Sequence, residues 1–244
     1  METLTNISQM ALADKTKSFL QLQSCEDLPW QMILSQQRIE ATVALLARRI
    51  STQFSTSSKP LVLVGILKGV FIFLSDLCKN LTIPYTVYFL EASSYHGQAR
   101  GEVKFASEIV PEKLKGHHVL LLDELFDNGH TMAAMRQTLL AHEELGLTEA
   151  DITTCVLFSK NSGTRLPPPD IVGFDNLPNV WYVGYGLDDN GEKRGWPHLF
   201  AVPKAPGVPL TADDARFEDP HGFEGTLHEF EGHRSILTWG KLTH

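Results

Sequence analysis

The chain reads as an α/β protein built on a parallel sheet flanked by helices. Two observations predict this. The apolar runs LVLVGI (61–66), VLLL (119–122) and TTCVLF (153–158) have no polar alternation, as expected of strands covered on both faces. Helical patterns fall between them, and strands alternating with helices favour parallel pairing. At 244 residues with 43% hydrophobic and 20% charged side chains, the chain can bury a sizeable core without covalent staples.

Taken in order, residues 36–54 form an amphipathic helix, with Ile39, Val43, Leu46 and Ile50 on one face. Ser55–Pro60 is a polar break before the first strand, 61–66. Val70–Leu77 is apolar enough for a buried helix, and 86–92 reads as a strand. SSYHGQARG (93–101) is a polar loop. The strand 119–122 leads through an acidic stretch into a helix over 131–145, whose Met132, Met135 and Leu139 share a face. After the strand 153–158, TRLPPPD (164–170) is a stiff connector, and VWYVGYGL (180–187) is the last strong strand. There is no internal repeat. A main domain over 1–204 is followed by an extension over 205–244 rich in Pro, Gly, Asp, Glu and His.

Composition narrows the function classes. A net charge of −8 disfavours a general nucleic-acid binder, since phosphate backbones reward excess Lys and Arg. The cysteines Cys25, Cys78 and Cys155 are odd in number and far apart, which fits reduced thiols in a cytoplasmic protein. The first twenty residues lack a continuous apolar segment of the secretory kind, and no run is long enough to span a bilayer. Neither a membrane nor a nucleic acid is the expected partner. His221, His228 and His233 stand among acids in the tail, but their spacing fits no standard zinc pattern, and a solvated tail is the simpler reading.

The stretch VLLLDELFDNGHTM (119–132) carries the chemistry. In open parallel sheets, ligands bind beyond the carboxyl ends of the strands. Asp123 and Glu124 stand at such an end, and Asp127-Asn128-Gly129-His130-Thr131 leads into a helix. Backbone N–H groups at a helix start, with a glycine to allow the turn, form an anion cradle. The acids suit hydroxyls or a metal. A ribose 5-phosphate satisfies both halves. The competing interpretation makes Asp123 and Glu124 solvated residues and Asp127 or Asn128 a helix cap.

This pattern of two apolar residues, two acids and Asp-x-Gly-x-Thr resembles the ribose-phosphate signature of the type I phosphoribosyltransferases. Those usually carry Glu-Asp or Asp-Asp first and Thr or Ser where Asn128 stands. GILKGVF (65–71) is similar to the pyrophosphate loop of the 6-oxopurine branch, where a non-proline cis peptide would fall at Leu67–Lys68. SSYHGQARG looks like that branch's flexible active-site loop, with Ser94 and Tyr95 as its paired residues. VWYVGYGLDDNGEKRGWPHL (180–199) resembles its base-binding segment. The resemblance covers about residues 36–203. The Asp-Glu order, LDDNG and RGWPHLF look more like a protozoan guanine phosphoribosyltransferase than the mammalian hypoxanthine-guanine enzyme.

The resemblance implies the type I fold with a small hood lobe, to which the N-terminal and base-binding segments contribute. It implies Mg²⁺-dependent transfer of a phosphoribosyl group from phosphoribosyl pyrophosphate to a purine base. Asp123, Glu124, Asp127, Asn128, Gly129, His130 and Thr131 would hold the ribose phosphate. Leu67, Lys68, Gly69 and Arg194 would hold pyrophosphate. Asp127 would be the acid/base near the base N7, and Lys160 would meet the exocyclic oxygen. Trp181 would stack on the purine, although an aromatic in an apolar strand packs into the core by default. The backbone of Tyr182 would read the base edge, and Asp188 would serve both base and Mg²⁺, with Asp123 and Glu124 as further metal candidates. Asp189 receives no role. A homodimer or homotetramer is implied, with 36–54 and 65–73 as interface elements. A non-catalytic regulator that binds RNA, and an orotate or uracil enzyme of the same fold, are the competing functions. The acidic balance, Trp181, Lys68, Asp127 and Arg194 weigh against the first, and Lys160 with the Trp181–Asp188 segment weighs against the second.

Overall fold

The computed structural model describes residues 31–94, 103–105 and 109–202. Its larger sheet contains β2 (Leu61–Leu67), β3 (Tyr85–Ser94), β4 (Val103–Phe105), β5 (His118–Phe126), β6 (Ile152–Lys160) and β7 (Ile171–Leu177), in the order β4-β3-β2-β5-β6-β7. The five strands from β3 to β7 pair in parallel, and β4 adds an antiparallel edge. The parallel α/β architecture is as expected. Alternate residues of each strand enter separate cores. Leu61, Leu63, Leu120, Leu122, Cys155 and Leu157 face one side, while Val62, Val64, Val119, Leu121, Ile152 and Val156 face the other. Both faces are buried, so the strands read as unbroken apolar runs.

The first core is covered by α1 (Gln36–Phe54) and α2 (Phe71–Asn80), through Ile39, Val43, Leu46 and Ile50 of α1 and Phe73 and Leu77 of α2. The second is covered by α3 (His130–Ala141), through Met132, Met135 and Leu139. Ser35 caps α1, its Oγ accepting from Arg38 N at 3.3 Å. No helix among the described residues is long and apolar enough to cross a membrane.

Several boundaries differ from the sequence reading. The helix expected over 131–145 ends at Ala141, and a separate 3₁₀ turn occupies Glu143–Leu145. His142 takes up an extended conformation between them, with φ −80° and ψ 99°. The run 180–187 is not one strand. Only β8 (Trp181–Val183) is extended; Gly184 and Gly186 then take φ of 94° and 99° and turn the chain. β8 belongs to a second, antiparallel sheet, β1-β9-β8, with β1 (Gln31–Leu34) and β9 (Leu199–Val202). This small lobe joins the segment before α1 to the segment after β7. Ser93 and Ser94 extend β3 rather than opening the loop. The remainder of that loop, including Tyr95, the tail histidines, Cys25 and the 205–244 extension lie outside the described residues.

Candidate active site

Chain order places the site. After β2 the chain moves outward to β3, and β5 then returns to the opposite side of β2. The helices that follow β2 and β5 therefore pass to opposite faces, which opens a crevice between the carboxyl ends of these two strands. Pairing of β2 with β5 ends at Gly65 and Leu122. Pairing of β5 with β6 continues from Asp123–Val156 to Phe126–Ser159. Asp123 and Glu124 thus lie inside a strand, but past its last partner on the β2 side.

The loop from β5 to α3 forms an open recess lined by Asp123, Asp127, Asn128, Gly129 and Thr131, among others. Five of the seven residues expected to hold the ribose phosphate meet there; Glu124 and His130 do not line it. Gly129, with φ 80°, is the helix cap, so neither Asp127 nor Asn128 occupies that position. A Cβ on Gly129 would stand 2.7 Å from the Phe126 ring. Asn128 Oδ1 instead accepts from His130 N at 3.1 Å, and Asn128 O accepts from Thr164 Oγ1 at 2.9 Å. These two bonds tie the loop to α3 and to Thr164, and the first-turn N–H groups that follow have no intrahelical acceptors.

Behind the recess, Glu124 packs on the loop after β2. A Cβ on Gly69 would meet Glu124 Oε1 at 1.7 Å. The Leu67–Lys68 peptide is cis. A Cβ on Gly186 would meet Gly69 O at 2.1 Å, so the turn after β8 lies directly on this loop. Arg194 closes the stack: Nη1 donates to Gly186 O at 2.7 Å, and Nη2 pairs with Asp188 Oδ1 at 2.7 Å. Asp188 Oδ2 accepts from Gly191 N at 2.8 Å. Asp189, to which the sequence assigned nothing, pairs with Lys193. Lys68 is largely exposed, with Glu91 at 4.0 Å.

Burial pushes the Asp123 carboxyl well above its usual range, and the neighbouring Glu124 charge adds to the effect. Burial also raises Glu124, with the hydrogen bond from Asp123 and the Arg194 charge acting in the opposite direction. Glu124 Oε2 is buried without a partner. A proton held by this pair, or a cation or hydroxyl brought by a ligand, relieves that cost. The described residues contain no group of three or more His, Cys, Asp or Glu side chains arranged to hold a metal alone. Mg²⁺ often takes only one or two carboxylates, with substrate oxygens completing its shell. The Asp123–Glu124 pair fits that pattern, and so does Asp188, whose two oxygens each make one contact and keep acceptor capacity.

At the other wall, Lys160 Nζ stands 3.4 Å from Asp127 Oδ2 and 5.6 Å from the centre of the Tyr182 ring. Lys160 ends β6 and is buried, whereas the Asp127 side chain is half exposed. Trp181 is 60% exposed, so core packing is not its role. Tyr182, pointing the opposite way, is buried and donates its hydroxyl to Pro178 O at 2.6 Å. Thr164, the contact of Gly69 with Glu124 and the ring beneath Lys160 were not foreseen. The glycine-rich turn Gly184-Tyr185-Gly186 was the one sequence signal of a close backbone approach.

Over residues 29–190 the chain matches the phosphoribosyl transferase domain family. It is 32% identical over 176 residues to the hypoxanthine phosphoribosyltransferase of Salmonella typhimurium, covering 70% of this chain and 94% of that protein. It is 34% identical over 175 residues to the hypoxanthine-guanine phosphoribosyltransferase of Dictyostelium discoideum, covering 69% and 93%. Among solved structures, the hypoxanthine phosphoribosyltransferase of Trypanosoma cruzi in complex with the product IMP superposes with a TM-score of 0.62 at 27% identity, covering 71% of this chain and 94% of that one.

Proposed function

Because the chain belongs to the phosphoribosyltransferase family and is an enzyme of its purine branch, we propose that it salvages 6-oxopurines. It transfers the 5-phosphoribosyl group of phosphoribosyl pyrophosphate to N9 of hypoxanthine or guanine, giving IMP or GMP and pyrophosphate. The observation that carries this reading is the meeting of two constellations at one crevice. An acid-lined recess at a helix start suits a ribose phosphate, and a buried Lys160 beside Asp127 suits a purine edge.

In the reaction, the C1–O bond to pyrophosphate breaks and the leaving group keeps the electron pair. N9 of the base forms the new bond to C1, and the proton on N7 passes to the Asp127 carboxylate. Positive charge on the ribose ring develops over Asp123 and Glu124. Lys160 donates to the 6-oxygen, which an amino group in the same place does not accept. Trp181 offers an exposed indole for stacking. Arg194 and Lys68 face the pyrophosphate oxygens, Arg194 by giving up part of its pairing with Asp188. Mg²⁺ would offset the negative charge of the pyrophosphate leaving group, with Asp123, Glu124 and Asp188 as the residues that would hold it. We also propose a dimer or tetramer. Phe71 is 44% exposed, and Val87 and Phe89 of β3 also leave apolar surface for a second copy.

The test is pyrophosphate release from phosphoribosyl pyrophosphate with guanine, hypoxanthine, xanthine and adenine in parallel, with and without a Mg²⁺ chelator. Turnover of 6-oxopurines, none of adenine, and loss on chelation are expected. Silence with all four bases would leave a binder without catalysis and defeat the proposal.

A further inference from the structure

Lys160 has two described partners, and they differ in kind. Asp127 is a half-exposed carboxylate at 3.4 Å, and Tyr182 is a buried ring whose centre lies 5.6 Å from the amine. A buried ammonium needs compensation, since its desolvation is costly. In the proposed reaction Asp127 receives a proton. At that moment it stops balancing the Lys160 charge. The ring face does not change with protonation of the base or of Asp127.

We infer that the Tyr182 ring is a positioning element for base selection, holding the Lys160 ammonium by a cation–π contact where it meets the 6-oxygen of a purine. The inference rests on the role proposed for Lys160 above and extends it to the side chain of Tyr182, a residue expected to act through its backbone. The ring is itself fixed. Tyr182 pairs with Ala201 in the β8–β9 ladder, and its hydroxyl is anchored on Pro178 O at 2.6 Å. A contact within about 6 Å of the centroid is in the attractive range, and it is stronger when both partners are out of water. Strand alternation gives β8 two tasks: Trp181 presents a stacking surface outward, and Tyr182 seats the amine inward.

The test replaces Tyr182 with phenylalanine and then with phenylalanines carrying one, three and five ring fluorines. These keep nearly the same shape while progressively weakening the negative face. The readouts are IMP and AMP affinities by calorimetry, which need no turnover, and the KM for phosphoribosyl pyrophosphate. Tyr182→Phe, which gives up the hydroxyl bond to Pro178 O, is the reference for the series, and full fluorination should weaken IMP affinity about tenfold from that reference, with the preference for IMP over AMP falling in step. The KM for phosphoribosyl pyrophosphate should not move. In a Lys160→Ala background the fluorine dependence should vanish, as expected for two groups that act through each other. IMP affinity that ignores fluorination, or a dependence that survives Lys160→Ala, would overturn the inference. If Lys160→Ala leaves the IMP over AMP preference intact, the base-reading role of Lys160 is what fails. If that preference falls while fluorination has no effect, only the ring's part fails.

Discussion

Asp127 stands half exposed at the mouth of the recess, free of any capping duty, with the Lys160 amine 3.4 Å from its carboxylate. Asp127→Asn should lower kcat by about 10²- to 10⁴-fold, the usual contribution of a positioned acid/base. Affinity for phosphoribosyl pyrophosphate should persist, because the cradle rests on backbone donors and Gly129. Unchanged turnover in a steady-state assay would remove Asp127 from that role. A second carboxylate serves stability instead. Hydrogen bonding to Lys59 holds Asp151 down at about 2, with Thr148 contributing. A depressed carboxylate stabilises the fold above its ordinary value, near 3.8, and the benefit disappears as pH falls toward 2. Asp151→Asn should therefore melt about 2–4 °C lower at pH 6. That gap should close between pH 4 and pH 2, and a gap that stays constant on acidification would contradict this account. The placing of Asp123, Glu124 and Asp127 at the crevice was legible in the sequence because they are consecutive with the strand end and the glycine. The contacts of Lys160 with Asp127 and Tyr182, and of Asp151 with Lys59, were not, because these residues are far apart in the chain and meet only through folding.

At the scale of elements, the site is a stack of three loops drawn from β2, β5 and β8. Gly69 lies on Glu124, and Gly186 lies on the Gly69 carbonyl. A methyl group on Gly186 would run into the Gly69 backbone, and Gly186 has φ 99°, a conformation that penalises any side chain; one on Gly69 would require the Glu124 carboxylate to move. Gly186→Ala should push the turn after β8 off the loop after β2. A displacement of that order costs on the order of 10²-fold in kcat/KM. The loss should appear in the KM for pyrophosphate in the reverse reaction as well as for the base, since both loops move. Circular dichroism spectra matching the parent would show the sheet intact. A variant with parental kinetics would show that the loops are not coupled. Tyr185 adds a second tie, its hydroxyl donating to Asp76 Oδ2 of α2 at 2.8 Å. The sequence suggested one strand over 180–187 because its apolar content is continuous. The structure breaks that run at Gly184, where a Cβ would stand 2.2 Å from His198 O.

For the molecule as a whole, the small β1-β9-β8 sheet brings together segments from both sides of the main sheet's sequence. His198, just before β9, accepts through Nδ1 from Gln36 N at the start of α1, at 2.9 Å. The hood is thereby joined to the α1 that covers the first core. Ligand that binds this folded arrangement and not the unfolded chain must stabilise all of it. At a hundredfold excess over its dissociation constant, phosphoribosyl pyrophosphate with Mg²⁺ should add about 2.7 kcal/mol. For a chain of this size that corresponds to a rise in melting temperature of about 5–10 °C. Ribose 5-phosphate should give a smaller rise and adenine alone none. Equal shifts from unrelated anions would mean that the recess does not recognise ribose.

The sequence by itself determined the parallel α/β sheet and the acid-and-glycine loop, because apolar strands covered on both faces and a strand-to-helix turn are local patterns of a few residues. It also determined the family, through four motifs in order. Only the tertiary structure decided which loops touch, that Trp181 faces outward, and that Tyr182 lies beneath Lys160. Those contacts join residues remote in the chain, and they are fixed by strand order and by the absence of side chains at Gly69 and Gly186, which no local periodicity encodes.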